Sequence, residues 1–229
     1  MGEQVTFASN GDTSDGYLAV PESGRGPGVV LVQEWWGLVR HIEELVDRFA
    51  DHGFVTLAPD FYHGAKTTEP DDAMRMMMAL AMDRAAKDLA GAAAYLAARP
   101  DVDSPRVGAA GFCMGGSLSL WSATLAPGIV AAVGFYPAVP WRRMSPDWSG
   151  YSGKAAQIHC SEEDGTSAAE GIVTARRAIE TAGGTVQVFD YPGTHHAFVN
   201  DHRPEAHDHD ATELALSRTF DFLHAQLEG

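Results

Sequence analysis

The stretch Arg106-Val107-Gly108-Ala109-Ala110-Gly111-Phe112-Cys113-Met114-Gly115-Gly116-Ser117-Leu118-Ser119-Leu120-Trp121 decides the fold. Arg106–Ala110 reads as a strand and Gly115–Ala126 as a helix, with a glycine-flanked turn between them. Strand, tight turn and helix are the context of a nucleophile elbow, here G-x-C-x-G with cysteine where serine is usual. The glycines answer a steric need. A side chain two positions before or after the strained residue would collide with the crossing strand and helix. Such a turn lifts the Cys113 sulfur above the sheet edge, and the helix aims its N-terminal N–H groups at it.

Working outward, the chain alternates buried strands with helices. Gln4–Ser9 and Gly16–Val20 read as an edge hairpin around Asn10-Gly11-Asp12. Gly28–Gln33, Phe54–Ala58, Val130–Phe135, Ala155–Cys160 and Val186–Tyr191 are short apolar runs of the kind buried on both faces of a parallel sheet. His41–Ala50, Ser167–Ala182 and Ala211–Leu227 carry helical spacing, and Pro70–Ala98 is helical with one break near Met82-Asp83. Pro137–Gly153 is an irregular excursion. This pattern predicts an α/β fold, a doubly wound, mostly parallel sheet flanked by helices, in one domain over residues 1–229.

Composition limits the function classes. The 229 residues are 45% hydrophobic and 21% charged, with a formal net charge of −15. An acidic surface repels phosphate, which argues against a nucleic-acid or anionic-membrane partner. No apolar run is long enough to cross a bilayer, and Met1-Gly2-Glu3-Gln4 has no signal-like core. Two cysteines, Cys113 and Cys160, suggest no disulfide framework, so a reducing cytoplasm is the simplest compartment. A monomer or small homo-oligomer is expected.

A cysteine nucleophile needs a base and a group to orient it, both at the carboxyl ends of strands. Asp164 follows the strand Ala155–Cys160, and His195-His196 follow Val186–Tyr191. The chain order Cys113, Asp164, His196 is the nucleophile, acid, histidine order of the α/β-hydrolases. Glu162 and Glu163 are alternatives to Asp164, and His195 to His196. His202, His207 and His209, with Asp208 and Asp210, look metal-like, but no metal-ligand spacing is present; they read as a solvated polar loop. Neither a metal nor a cofactor is expected.

The sequence resembles the dienelactone hydrolase family over nearly its whole length. The stretches that carry this are Gln33-Glu34-Trp35-Trp36-Gly37, Ala58-Pro59-Asp60-Phe61-Tyr62, Gly111–Gly116, Asp164 and His196-Ala197-Phe198. Asn200-Asp201-His202-Arg203-Pro204 and Arg218–Leu223 add to them. The resemblance implies an α/β-hydrolase fold with a Cys113–His196–Asp164 triad, and its H-x-F pattern favours His196 over His195. It also implies that Glu34 contacts the resting cysteine, and that the N–H groups of Trp35 and Met114 form the oxyanion hole. The expected substrate is a small-molecule ester or lactone cleaved through a thioester. A thiolate leaves a tetrahedral intermediate more readily than an amine, so activated esters and lactones are favoured over amides.

The pocket departs from the family pattern. The best-known members hold a substrate carboxylate with two arginines; here Asn200 and Pro70 fall at those positions, with Met74 and Met77 nearby. Asparagine cannot reproduce the arginine fork, so a more apolar ester or lactone fits at least as well as an acidic one. Trp36, Tyr62, Met74, Met77, Tyr136, Phe198 and Asn200 are the expected pocket residues. A rival reading is a binding or thiol redox-sensing protein on the same fold.

Overall fold

The computed structural model describes residues 1–9, 11–138, 141–165 and 169–228. Eight strands form one sheet: β1 Glu3–Ser9, β2 Asp12–Ala19, β3 Gly26–Val32, β4 Val55–Pro59, β5 Val102–Phe112, β6 Ile129–Phe135, β7 Ala155–Ser161 and β8 Thr185–Tyr191. Their order is β1-β2-β4-β3-β5-β6-β7-β8. The hairpin β1–β2 and its junction with β4 are antiparallel, and every pairing from β4 to β8 is parallel. The seven residues of β3 are all buried, which is why it reads as an unbroken apolar run rather than an alternating one. Those of β7 are buried too, and its polar Gln157 and His159 are satisfied by hydrogen bonds.

The helices are α1 Arg40–Asp51, α2 Pro70–Ala79, α3 Met82–Ala97, α4 Met114–Leu125, the single-turn α5 Trp141–Met144, α6 Glu170–Thr181 and α7 His209–Leu227. On one face α1 meets α7 through an edge-on Phe49–Phe220 contact at 5.0 Å. On α1 the buried stripe is His41, Ile42, Leu45, Val46, Phe49 and Ala50, the spacing that marked it as a helix.

Boundaries moved where tertiary pairing outweighs local pattern. β2 starts at Asp12 because Ser9↔Asp12 and Ala8↔Thr13 close the hairpin tightly. β5 starts at Val102, where Gly26 pairs with it ahead of an irregularity in the ladder. The helical break falls at Leu80-Ala81, both extended, just before Met82. α7 begins at His209 because Asp208 caps it, accepting from the Ala211 N–H at 2.9 Å. The irregular excursion holds α5 and a 3₁₀ turn at Trp148–Tyr151. Asn10 and Ser167 lie outside the described residues.

The parallel register places five strand ends along one edge. Val32 pairs with Gly111, Phe112 with Phe135, and Ser161 with Tyr191. Glu34, Cys113, Tyr136, Asp164 and His196 all follow directly from these ends.

Candidate active site

Cys113 has φ 56° and ψ −119°, a conformation side chains seldom adopt. The surrounding backbone fixes it there: its N–H donates to the Phe135 carbonyl at 3.0 Å, and its carbonyl accepts from Ala138 N–H at 3.1 Å. The glycine requirement read from the sequence has a steric cause in the backbone. A Cβ on Gly111 would lie 2.1 Å from the Gly115 carbonyl oxygen, and one on Gly115 would lie 2.3 Å from the Val32 oxygen and 2.4 Å from that of Gln33. Both obstructions are backbone and cannot yield.

Cys113 lies close enough to His196 to favour the charged form of its ring. His196 Nδ1 in turn bonds Asp164 Oδ2. Burial works against a charge on His196, but the bond to Asp164 and the nearby Cys113 outweigh it and raise its pKa to about 10. Burial also pushes the Asp164 carboxyl upward, yet the bonds from His196 and Ser161 prevail and hold it below the usual carboxylate range. The bond to Asp164 thus favours the charged form of the His196 ring. Cys160, the other cysteine, is buried beside Asp190 and Asp164, and its thiol is pushed up to about 12, which leaves it unreactive.

Three side chains support this arrangement: Ser161, not singled out from the sequence, and Glu163 and Glu162, weighed there only as alternatives to Asp164. Ser161 Oγ donates to Asp164 Oδ2 at 2.6 Å. Glu163 accepts from the His196 N–H at 2.7 Å, and its own N–H donates to the Thr194 carbonyl at 3.2 Å. Glu162 accepts from Gly193 N–H. The two glutamates therefore join the acid loop to the histidine loop, while Asp164 alone of the three bonds the ring. His195 is largely exposed, 3.5 Å from Glu163. Short polar side chains that bond backbone leave no periodic signature, so only the S-x-x-D spacing hinted at Ser161.

Glu34 is almost wholly buried at 1% exposure. Its carboxylate accepts from Asn200 Nδ2 at 2.9 Å and from the Tyr136 hydroxyl at 3.4 Å. Burial, then the charges of Glu34 and Cys113, drives the Tyr136 pKa far up, so the phenol keeps its proton and donates. Where the resemblance implied a Glu34–Cys113 contact, the carboxylate is held by Asn200 and Tyr136, and the thiol is turned to His196. Among the described residues the Trp35 and Met114 N–H groups donate to no protein acceptor.

One cleft, about 290 Å³, adjoins the elbow at Met114 and is lined by Met77, Met78, Met82, Ala138, Arg143 and Met144 as well. Another, about 380 Å³, includes Trp36, Thr67, Asn200, His202 and Arg203. Tyr62 is half-buried and donates to Met114 Sδ at 3.4 Å. Four expected pocket residues, Tyr62, Tyr136, Met74 and Phe198, line neither cleft. Met74 is 45% exposed, because Met77 and not Met74 falls on the inward phase of α2. Phe198 is completely buried, packed against Tyr136 and Tyr191 at 5.4 and 5.0 Å, and is core.

The sheet order, the parallel crossovers and a cysteine on a strand-to-helix elbow define an α/β-hydrolase fold. The chain belongs to the dienelactone hydrolase family, whose profile matches residues 14–227. It is 32% identical to Protein usf of Aquifex pyrophilus over 97% of this chain and 98% of that one. It is 36% identical to a carboxymethylenebutenolidase of Pseudomonas sp. strain P51 over 49% of this chain and 50% of that one. In fold it is similar to the dienelactone hydrolase-like promiscuous phosphotriesterase P91 from metagenomic libraries, with a TM-score of 0.81, 20% identity, and coverage of 99% of this chain and 98% of the other. No helix among the described residues is long and apolar enough to cross a membrane.

Proposed function

We propose that this hydrolase cleaves ester or lactone bonds in small molecules through a Cys113 nucleophile, with His196 as base and acid and Asp164 as its orienting carboxylate. The observation that carries the reading is the strained Cys113 at φ 56°, beside a histidine that is itself bonded to Asp164. His196 takes the thiol proton, and the resulting thiolate attacks the carbonyl carbon. The oxyanion is met by the uncommitted Trp35 and Met114 N–H groups; by analogy with a serine protease each donor contributes roughly 3–4 kcal/mol. The imidazolium then gives its proton to the leaving alkoxide, and the acyl group remains on sulfur as a thioester. Neutral His196 next deprotonates water, whose hydroxide attacks the thioester carbonyl; the C–S bond breaks, the carboxylic acid is released, and the imidazolium returns its proton to the Cys113 thiolate. Asp164 holds the ring tautomer throughout.

Glu34 acts on this centre through the buried Tyr136 hydroxyl, which lies in the field of both Glu34 and Cys113. For the substrate, the Met-lined cleft beside Met114 favours an apolar acyl group. Flexible thioethers adapt to varied shapes, and Asn200 is bonded to Glu34 in place of a carboxylate clamp. Turnover of p-nitrophenyl acetate and a dienelactone by wild type, Cys113→Ala and His196→Ala tests the reading. Loss of activity in both variants supports it; equal rates in all three overturn it in favour of a binding or redox-sensing role.

A further inference from the structure

α1 and the loop after Asn200 bring together four potential ligands that are distant in sequence. His41 Nδ1 lies 3.3 Å from Asp201 Oδ1, and His202 Nε2 lies 3.9 Å from the same oxygen. The ligand atoms of His41, Asp201 and His202 all fall within 4.8 Å of one another. Glu44 Oε2, bonded to His202 Nε2 at 2.6 Å and outside that three-residue group, is a fourth donor that side-chain rotation would have to bring in. We propose that His41, Asp201, His202 and Glu44 form a binding site for one divalent first-row transition-metal ion, with zinc the best match to the ligand set.

The geometry is close to what such an ion requires. Tetrahedral zinc with bonds of about 2.0–2.1 Å separates its ligands by about 3.3 Å. The His41–Asp201 pair already has that spacing. The remaining adjustments fall on Asp201, His202 and Glu44, whose side chains are 63%, 44% and 41% exposed and free to rotate. His41 is the fixed anchor, with a side chain only 4% exposed. Two imidazoles with two carboxylates form a borderline donor set suited to zinc rather than to calcium or magnesium.

A cavity of about 140 Å³ lined in part by His41, Glu44, Asp201, His207 and His209 provides an approach for the ion and room for a water ligand. The nearby cations are Arg40, 2.7 Å from the other Glu44 oxygen, and Arg48, which also lines the cavity; Glu44 Oε2 is bonded to His202 and exchanges that bond for the ion.

The test uses the full chain carrying Cys113→Ser, which prevents an ion from resting on the Cys113–His196 pair. The chelator-treated protein is titrated with Co²⁺, read by its d–d absorption, and then competed with Zn²⁺. The expected result is one ion per chain, with affinity reduced more than about 100-fold by His202→Ala and by Asp201→Asn. Both replaced side chains are solvent-exposed, and unchanged circular dichroism verifies that the variants fold. Absence of a cobalt spectrum, or equal affinity in parent and variants, overturns the site. So does Co²⁺ binding that requires the Cys113 thiol.

Discussion

Replacing Asn200 by leucine removes the amide that donates to Glu34 Oε2 at 2.9 Å. Both residues are nearly inaccessible, at 3% and 1% exposure, so water does not substitute for the lost donor. A hydrogen bond to a charged group contributes about 1.5–3 kcal/mol, and a neutral one about 0.5–1.5 kcal/mol. Asn200→Leu is therefore expected to lower unfolding free energy by about 1.5–3 kcal/mol. At about 2–4 °C per kcal/mol for a chain of this size, that is a Tm decrease of about 3–12 °C. Asn200 also accepts from the His202 N–H at 3.1 Å, so part of any loss has nothing to do with Glu34. A double-mutant cycle with Glu34→Gln separates the two, because the His202 contact is common to both backgrounds. Urea unfolding of the four proteins should show a smaller loss in the Glu34→Gln background, by about 1 kcal/mol or more. Equal losses in the two backgrounds, or a wild-type loss under about 0.5 kcal/mol, would refute the account of Asn200 as the support of a buried carboxylate.

Asp164→Asn is expected to cost stability in a defined pH window. The His196 pKa is raised from 6.5 to about 10, so its contribution is complete below pH 6.5 and fades as pH rises toward 10. The Asp164 pKa is depressed from 3.8, so its contribution is complete above that value and fades as pH falls through the lowered one. The wild-type advantage in urea unfolding should therefore peak between about pH 4 and 6.5 and shrink on either side; a pH-independent difference would count against the ion pair. Ser161→Ala should lower kcat about 10- to 100-fold with little change in KM, since it orients Asp164 without reaching the substrate. Threonine at this position should restore most of it, and a selective rise in KM would instead place Ser161 at the substrate.

Much of the fold was legible because a buried parallel strand is a short apolar run and the helices between strands carry a 3.6-residue pattern. The elbow was legible because its glycines answer backbone collisions at Val32, Gln33 and Gly115. Asp164 and His196 could be placed because topology fixes where strands end. The Glu34–Tyr136–Asn200 network was not legible: its partners are 102 and 166 positions apart, and no local pattern marks a hydrogen bond at that range. Asn200 read as a missing arginine, whereas its amide holds a carboxylate. Met74 and Met77 could not be told apart without the phase of α2. Phe198 matched a family motif next to a histidine, and such proximity does not distinguish a pocket wall from core. His41 showed only as part of an apolar helical face; nothing local indicated that Asp201 and His202 lie against it.

The central claim is that Cys113 carries the acyl group. Wild-type protein mixed with excess p-nitrophenyl acetate, quenched in acid within the first turnover and digested for mass spectrometry, tests it most directly. The account predicts a single acetyl group on the Cys113 peptide, released by neutral hydroxylamine as a thioester is, and absent from Cys113→Ala. An acetyl group on another residue, or turnover undiminished in Cys113→Ala, would contradict it.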